Sequence, residues 1–163
     1  MQEMINHAKA GFLQEKGRIE RALANTPDDR VSWSPSPTAR SIAQQVVHAA
    51  EAVKNIQTQM SGQVFEYPTP AEADVHFREQ EMEFTTREQA LEHLETACAN
   101  YIAWLDALTP ESFAGNMILP FKLGEAPISM AISFPADHMR WHTAQIEYIQ
   151  TIYGDRDWYL GSP

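Results

Sequence analysis

Two histidines four residues apart, His138 and His142, are the residues whose type and spacing best suit a chemical role. On a helix this spacing stacks two side chains on one face, with about 6 Å between their Cβ atoms. Two imidazoles placed in this way can bind one metal ion, and a third, His48, lies in a separate predicted helix. Three neutral nitrogen ligands leave at least one coordination position open, which is typical of a catalytic metal. The spacing therefore predicts a three-histidine metal site.

The other histidines are weaker candidates for ligands. His7 lies near the start of the first predicted helix, and His76 lies in an acidic connecting segment. His93 is rotated off the apolar stripe of its helix, where we expect it to be exposed to solvent. A histidine taken alone is more often an ordinary polar or packed residue than a ligand, so a helical bundle with no metal is the alternative.

The composition narrows the classes of partner. The chain has 163 residues, 44% of them hydrophobic, which predicts one folded domain over residues 1–163 with a substantial core. Its net charge of −10 argues against nucleic acid and against anionic membranes, because both bind basic surfaces. A small neutral or thiol-bearing molecule held in a pocket remains open as a partner.

The single cysteine, Cys98, bears on the cellular compartment. One cysteine forms no intramolecular disulfide, which favours a reducing compartment. Cys98 lies in an apolar helical run, so we expect a core side chain and not a reactive thiol. The first residues show no apolar signal segment, and no uninterrupted apolar stretch has membrane-spanning length. We therefore expect a cytoplasmic protein.

Apolar residues recur at helical spacing in four stretches. Ser41 with Gln44, and Thr85 with Glu88, form capping-box patterns at the start of the second and third stretches. Gly154 follows the last stretch as a predicted C′ glycine. Four amphipathic helices in one domain predict an all-α fold, a four-helix bundle of the up-and-down kind with a long crossover between the second and third helices. The predicted helices cover about residues 4–24, 42–60, 86–108 and 128–153.

Two connecting segments stand out. Residues 62–84 contain Pro68 and Pro70 with little periodicity, and a crossover of this length is either functional or mobile, so it is a candidate lid. Residues 111–127 contain the run MILPFKL, with Pro120 inside it, which predicts an irregular arm or at most a minor strand.

Other catalytic motifs are missing from the sequence. It has no glycine-rich phosphate loop and no GxSxG elbow, and the run HMRWH lacks the glutamate of the HExxH zinc motif. Polar groups near metal-bound histidines orient their rings. By helical spacing, the polar residues nearest the three histidines are Gln44, Glu51 and Gln145.

Taken in order, these residues resemble the DinB/YfiT-like superfamily of metalloenzymes. A segment of the form W-x-P…S-I-x-x-x-x-x-H precedes and enters the second helix, and a segment of the form H-x-x-x-H-x-x-Q-I fills the last. The resemblance spans most of the chain, although each motif alone is short. The matching positions are Trp33, Pro35, Ser41, Ile42, His48, His138, His142, Gln145 and Ile146.

The resemblance implies a four-helix bundle that binds a divalent ion, commonly nickel or zinc, through His48, His138 and His142. It also implies a homodimer, and relatives that use low-molecular-weight thiols as transferases or isomerases. This chain departs from the family where His-Arg-Gly-Gln is common, since it has Thr143 and Ala144 after His142. A role of that arginine in holding an anionic substrate is therefore not expected here.

Three hypotheses follow from the sequence. The first is a metal-dependent enzyme that activates a thiol or water, as a thiol S-transferase or a hydrolase. The second is a non-catalytic metal-binding or stress-response protein in which the ion ties two helices together. A protein carboxylate in the fourth coordination position would favour this second hypothesis. The third is a helical bundle whose histidines are only packed or exposed.

Overall fold

The computed structural model describes residues 1–157 and 159. The predicted domain, residues 1–163, thus includes positions 158 and 160–163, which lie outside the described residues. Helices dominate the structure, with one small sheet and one 3-10 turn, Pro120–Lys122. In chain order the helices and strands are α1 (Gln2–Ala24), α2 (Asp28–Val31), α3 (Ile42–Met60), α4 (Pro70–Glu81), α5 (Arg87–Asp106), α6 (Pro110–Phe113), β1 (Asn116–Ile118), β2 (Glu125–Pro127), α7 (Ile128–Ala131) and α8 (Phe134–Ile152).

The four long helices α1, α3, α5 and α8 form a bundle, which confirms the predicted fold class. Helix α3 packs mainly on α5 and α8, and α1 packs mainly on the same two helices. Helices α1 and α3, which follow each other among the long helices, therefore lie largely across the bundle from one another. This arrangement brings α3 against α8, the two helices that carry the predicted metal ligands.

Aromatic and aliphatic side chains fill the centre of the bundle. Phe12 and Tyr101 are fully buried and meet edge to face, with ring centroids 4.7 Å apart. The Tyr101 hydroxyl donates a 2.6 Å hydrogen bond to the carbonyl oxygen of Ile132, where the chain turns towards α8. Cys98 is buried as predicted, and burial raises the pKa of its thiol to about 12. That thiol is a packed core group at neutral pH.

The capping boxes fix where α3 and α5 begin. The Ser41 hydroxyl accepts from the Gln44 backbone N–H, and the Gln44 side chain accepts from the Ser41 backbone N–H, as predicted. For α5 the predicted pair Thr85 and Glu88 is wrong by one residue. Thr86 and Gln89 form that box, because a glutamine at the third helical position makes the reciprocal bond.

The crossover after α3 is more ordered than its sequence predicts. It contains α4, which begins after the capping residue Thr69 with Pro70 in its first turn. Proline suits the first turn of a helix, because its missing N–H would have no partner there. The sequence hides this helix because its apolar residues are few and only Ala73 and Glu81 are buried.

The arm before the last helix forms a two-stranded antiparallel hairpin, consistent with the predicted minor strand. Met117 pairs with Ala126, and both side chains are buried against the bundle. The predicted last helix is divided into α7 and α8. Pro135 explains the break, because it lacks the N–H that would bond to Ala131 in a continuous helix.

Helix α8 ends before Gly154, which has a φ of 98° and is the predicted C′ glycine. None of the helices among the described residues is long and apolar enough to cross a membrane.

Candidate metal centre

The three predicted ligands, His48, His138 and His142, lie together between α3 and α8. One ring nitrogen from each residue lies within 4.8 Å of those of the other two. The Nε2 atoms of His138 and His142 are 2.9 Å apart. No other histidine, cysteine or carboxylate of residues 1–157 and 159 joins this cluster. The helical spacing and the packing of α3 on α8 therefore produce a compact set of three imidazoles.

The His48 ring is oriented by a carboxylate from the crossover. Glu81, the last residue of α4, is 1% exposed and accepts a 2.6 Å hydrogen bond from His48 Nδ1. Because a carboxylate oxygen only accepts, the hydrogen of the neutral His48 ring lies on Nδ1. Its Nε2 therefore keeps a lone pair, which is the state a metal ligand requires.

Arg40 completes this network on the other side of Glu81. Its Nε donates to Glu81 Oε2 at 2.5 Å, and its Nη2 donates to Asp74 Oδ1 at 2.8 Å. The ion pair compensates the charge of the buried Glu81 carboxylate, which is costly without a partner. Two residues of α4, Asp74 and Glu81, are in this way tied to the start of α3.

The His142 ring is oriented by α3. Its Nδ1 donates a 2.8 Å hydrogen bond to Gln45 Oε1, and both side chains are at most 8% exposed. The hydrogen of neutral His142 then lies on Nδ1, and its Nε2 presents a lone pair to His138. Two of the three rings are thus held in the ligand tautomer by buried partners.

Of the polar residues predicted to orient the rings, Gln44 and Glu51 do not do so. Gln44 caps α3, and Glu51 accepts a bond from His93. The exposed Gln145 side chain interacts with His142 and opposes, in part, the lowering of the pKa of that ring by burial. Gln45 precedes His48 by three residues, a spacing as close on a helix as the four that pointed to Gln44. Glu81 carries no signal in the sequence, because only the fold brings α4 to His48.

The remaining histidines lie outside the cluster, as predicted. His7 is exposed, and His76 packs against Tyr67 with ring centroids 4.9 Å apart. The prediction that His93 is exposed is wrong. Its side chain is 28% exposed, and its Nε2 donates a 2.7 Å hydrogen bond to Glu51 on the adjacent helix α3.

Two rings of the cluster, those of His138 and His142, are held uncharged at neutral pH. Burial, and then the neighbouring His48 ring, lower the pKa of His138 to about 4. Burial, and then the His138 and His48 rings, lower the pKa of His142 to about 3. Both imidazoles are therefore neutral at pH 7, so protons compete little with a metal ion for their nitrogens.

The donor set fits a divalent ion. Bonds from zinc to histidine nitrogen are about 2.1 Å long, so two nitrogens on one ion lie at most about 4.2 Å apart. The 2.9 Å separation between the His138 and His142 Nε2 atoms meets this limit. With the His48 nitrogen within 4.8 Å, a shift of less than about 1 Å brings all three donors within reach of one ion.

An apolar cavity of about 750 Å³ opens beside the histidines. His48 and His138 line one part of it, and side chains from α3, α4, the hairpin and the start of α8 form the rest. This volume lies within the range of small-molecule binding sites. A group held by the three rings would therefore face a space that admits a small molecule.

The family model of the DinB superfamily matches residues 12–146. The chain belongs to the DinB superfamily. The match covers all three histidines, the crossover and the hairpin. No protein with a curated description matches the sequence.

Several solved structures have a fold similar to that of this DinB-superfamily protein. YfiT from Bacillus subtilis, described as a probable metal-dependent hydrolase with an unusual four-helix bundle topology, has a TM-score of 0.73 at 16% identity, covering 96% of this chain and 91% of YfiT. A DinB-like protein of Bacillus subtilis, YjoA, has a TM-score of 0.62 at 14% identity. The match covers 93% of this chain and 95% of the YjoA chain.

A mycothiol-dependent maleylpyruvate isomerase has a TM-score of 0.68 at 11% identity, covering 87% of this chain. The chain spans only 60% of that isomerase. The TM-scores show that these proteins share the fold of this chain. At identities this low, the similarity does not show which reaction this protein catalyses.

The low pKa values of His138 and His142 predict how the stability of the metal-free protein depends on pH. Between about pH 6.5 and pH 4 the unfolded chain binds protons at these positions and the folded protein does not, so stability falls as the pH is lowered through this window. Above pH 6.5 both states are neutral and their contribution is constant. Each histidine adds a slope of up to about 1.4 kcal/mol per pH unit.

Denaturant unfolding at a series of pH values, with chelator present, measures this slope. The double variant His138→Gln/His142→Gln should show a shallower slope over the same window. A slope equal to that of the unaltered protein would contradict the assignment of these two rings as buried neutral groups.

Proposed function

We propose that this protein is a metal-dependent enzyme in which His48, His138 and His142 bind one divalent ion. The observation that carries the proposal is the convergence of three imidazoles at the wall of an apolar cavity. When bound at such a site, a divalent ion lowers the pKa of a coordinated water or thiol, so that a nucleophile is available near neutral pH. The reaction is then hydrolysis or transfer of a thiol.

The surroundings of the three rings favour catalysis over a structural role. A structural zinc site is closed by a fourth protein ligand. The nearest carboxylate, Glu81, is occupied by His48 Nδ1 and Arg40, and no carboxylate of the described residues joins the cluster. The position that a fourth ligand would fill is thus left to a small molecule from the cavity.

Residues of this chain orient the histidine rings and exclude water from the site. Glu81 and Gln45 hold two of the rings with their Nε2 lone pairs turned to the centre, so the ligands need little reorganisation. Phe77 packs against His48 with ring centroids 5.5 Å apart and covers that ring on the side of α4. An apolar wall beside the ion strengthens electrostatic interactions with a reacting group.

Several finer predictions belong to this proposal. We propose nickel or zinc as the ion, since three imidazoles suit either metal, and a low-molecular-weight thiol as a cofactor if the reaction is a transfer. The family resemblance supports a homodimer. The composition supports a single domain, a cytoplasmic location, a small-molecule substrate and no nucleic-acid or membrane partner.

Elemental analysis of the purified protein tests the metal site. After incubation with nickel or zinc and removal of excess ion, we expect about one ion per chain, and much less than one in His138→Ala, because a two-ligand site binds far more weakly. His93→Ala is the matched control, since it removes a paired histidine outside the cluster and should retain the ion. Full occupancy in His138→Ala would contradict the assignment.

Cobalt substitution separates an enzyme from a structural metal protein. We expect the visible spectrum of the cobalt-loaded protein to change on addition of azide or a small thiol, because an open position accepts an external ligand. A spectrum that neither compound alters would favour the non-catalytic alternative. The same titration on Glu147→Ala, an exposed position of α8 that does not line the cavity, should match that of the unaltered protein.

Glu81→Gln tests the residue that orients His48. The amide keeps an acceptor for His48 Nδ1 but removes the charge, so we expect metal affinity to fall by about 10- to 100-fold. Competition with a chromophoric chelator measures it. Glu83→Gln makes the same change of charge at an exposed position nearby and should leave the affinity unaltered. Equal affinities in the two variants would remove Glu81 from the proposed mechanism.

A further inference from the structure

Most of the surface of the cavity beside the histidines is apolar. Aromatic rings from four different segments contribute to its wall, which is the composition of a site for a mainly hydrophobic ligand. The aromatic lining residues are Phe65, Phe77, Phe121, Phe134 and Trp141.

One face of α3 sets the length of the site. His48, Ala52, Asn55 and Gln59 follow one another at spacings of three or four residues and all line the cavity. Asn55 and Gln59 lie seven and eleven residues after His48, which corresponds to about 10 Å and about 16 Å along the helix axis. The floor of the site therefore runs from imidazole at one end, over the small Ala52, to amide groups at the other.

The opposite wall is formed where the crossover meets the hairpin. Phe65 contacts Phe121 with ring centroids 5.4 Å apart, although 56 positions of sequence separate them. Phe121 has a φ of 57°, in the left-handed region, which costs a non-glycine residue about 1 kcal/mol. A tight turn thus holds this ring against the crossover and over the cavity.

Each carboxylate that lines the cavity is already paired with a side chain of the protein. Three carboxylates line it, and each already has a cationic or histidine partner: Glu51 with His93, Asp74 with Arg40 and Arg78, and Asp137 with Arg140. None of the described residues that line it is a lysine or arginine. In the metal-free protein, an anionic ligand would meet carboxylates without a compensating cation, and its desolvation would oppose binding.

We infer that the substrate of this site is an uncharged, mainly apolar small molecule, about 10 to 16 Å long, with an aromatic or branched body and a reactive polar group at the histidine end. The orientation of the reactive group rests on the proposed function. The class of ligand rests on the cavity alone.

Two fluorescent probes with the same ring system test the class of ligand. N-phenyl-1-naphthylamine is neutral, and 1-anilinonaphthalene-8-sulfonate carries a sulfonate on the same body. Titrated into the metal-free protein, the neutral probe should bind saturably, and the anionic probe should bind about tenfold more weakly or worse. Equal or tighter binding of the sulfonate would overturn the inference.

Two variants assign the bound probe to the cavity. Ala52→Trp fills the middle of the α3 face and should abolish saturable binding of the neutral probe, with circular dichroism to verify the fold. Leu123→Arg places a cation at the exposed rim, where Leu123 is 71% exposed, and should strengthen binding of the sulfonate. Leu13→Arg makes the same change at an exposed position of α1 that does not line the cavity, so it should leave binding of the sulfonate unchanged.

The readout distinguishes this inference from the metal proposal. Saturable binding of the neutral probe that Ala52→Trp removes supports the inference even if elemental analysis finds no metal. The inference is overturned if the protein binds metal but does not bind the neutral probe, or if Ala52→Trp binds the neutral probe as tightly as the unaltered protein. Either result leaves the proposed metal centre unaffected. Failure of Leu123→Arg to favour the sulfonate over Leu13→Arg would also count against it.

Discussion

The hydrogen bond between Glu81 and His48 is the interaction on which the rest of the site depends. The Glu81 carboxylate is 1% exposed, and Arg40 compensates its buried charge by donating to its second oxygen at 2.5 Å. The bond fixes the tautomer of one predicted ligand. It also attaches the end of α4 to the bundle, so the crossover cannot leave without exposing an unpaired charge.

The same crossover serves both the metal centre and the cavity. Its helix α4 ends in Glu81, which orients His48, and carries Phe77, which packs on the same ring and lines the cavity. Phe65, earlier in the crossover, contacts Phe121 of the hairpin. In the proposed enzyme, the metal chemistry and the selection of substrate are therefore coupled through one segment, and a displacement of α4 would disturb both. This coupling is a physical reason for a long connection between two bundle helices.

The sequence predicts the bundle and its three histidines because both depend on local periodicity. His138 and His142 share a helix face by their spacing alone, and the capping box at Ser41 fixes the start of the helix that carries His48. Glu81 and Gln45 could not be assigned in the same way. The choice of Gln45 over Gln44 depends on a small rotation of α3, and the contact of Glu81 depends on where a weakly amphipathic helix docks.

The position after His142 links the sequence to the character of the cavity. The family resemblance implies an arginine there, whereas Thr143 in this chain is 1% exposed and donates its hydroxyl to the Met139 carbonyl oxygen at 3.0 Å. That bond satisfies the hydroxyl within its own helix, so the residue offers no group to a ligand. The nearby cations Arg40 and Arg140 are both committed to carboxylates. In the proposed site, the absence of an arginine after His142 and the pairing of the nearby charges both favour apolar contact over recognition of an anion.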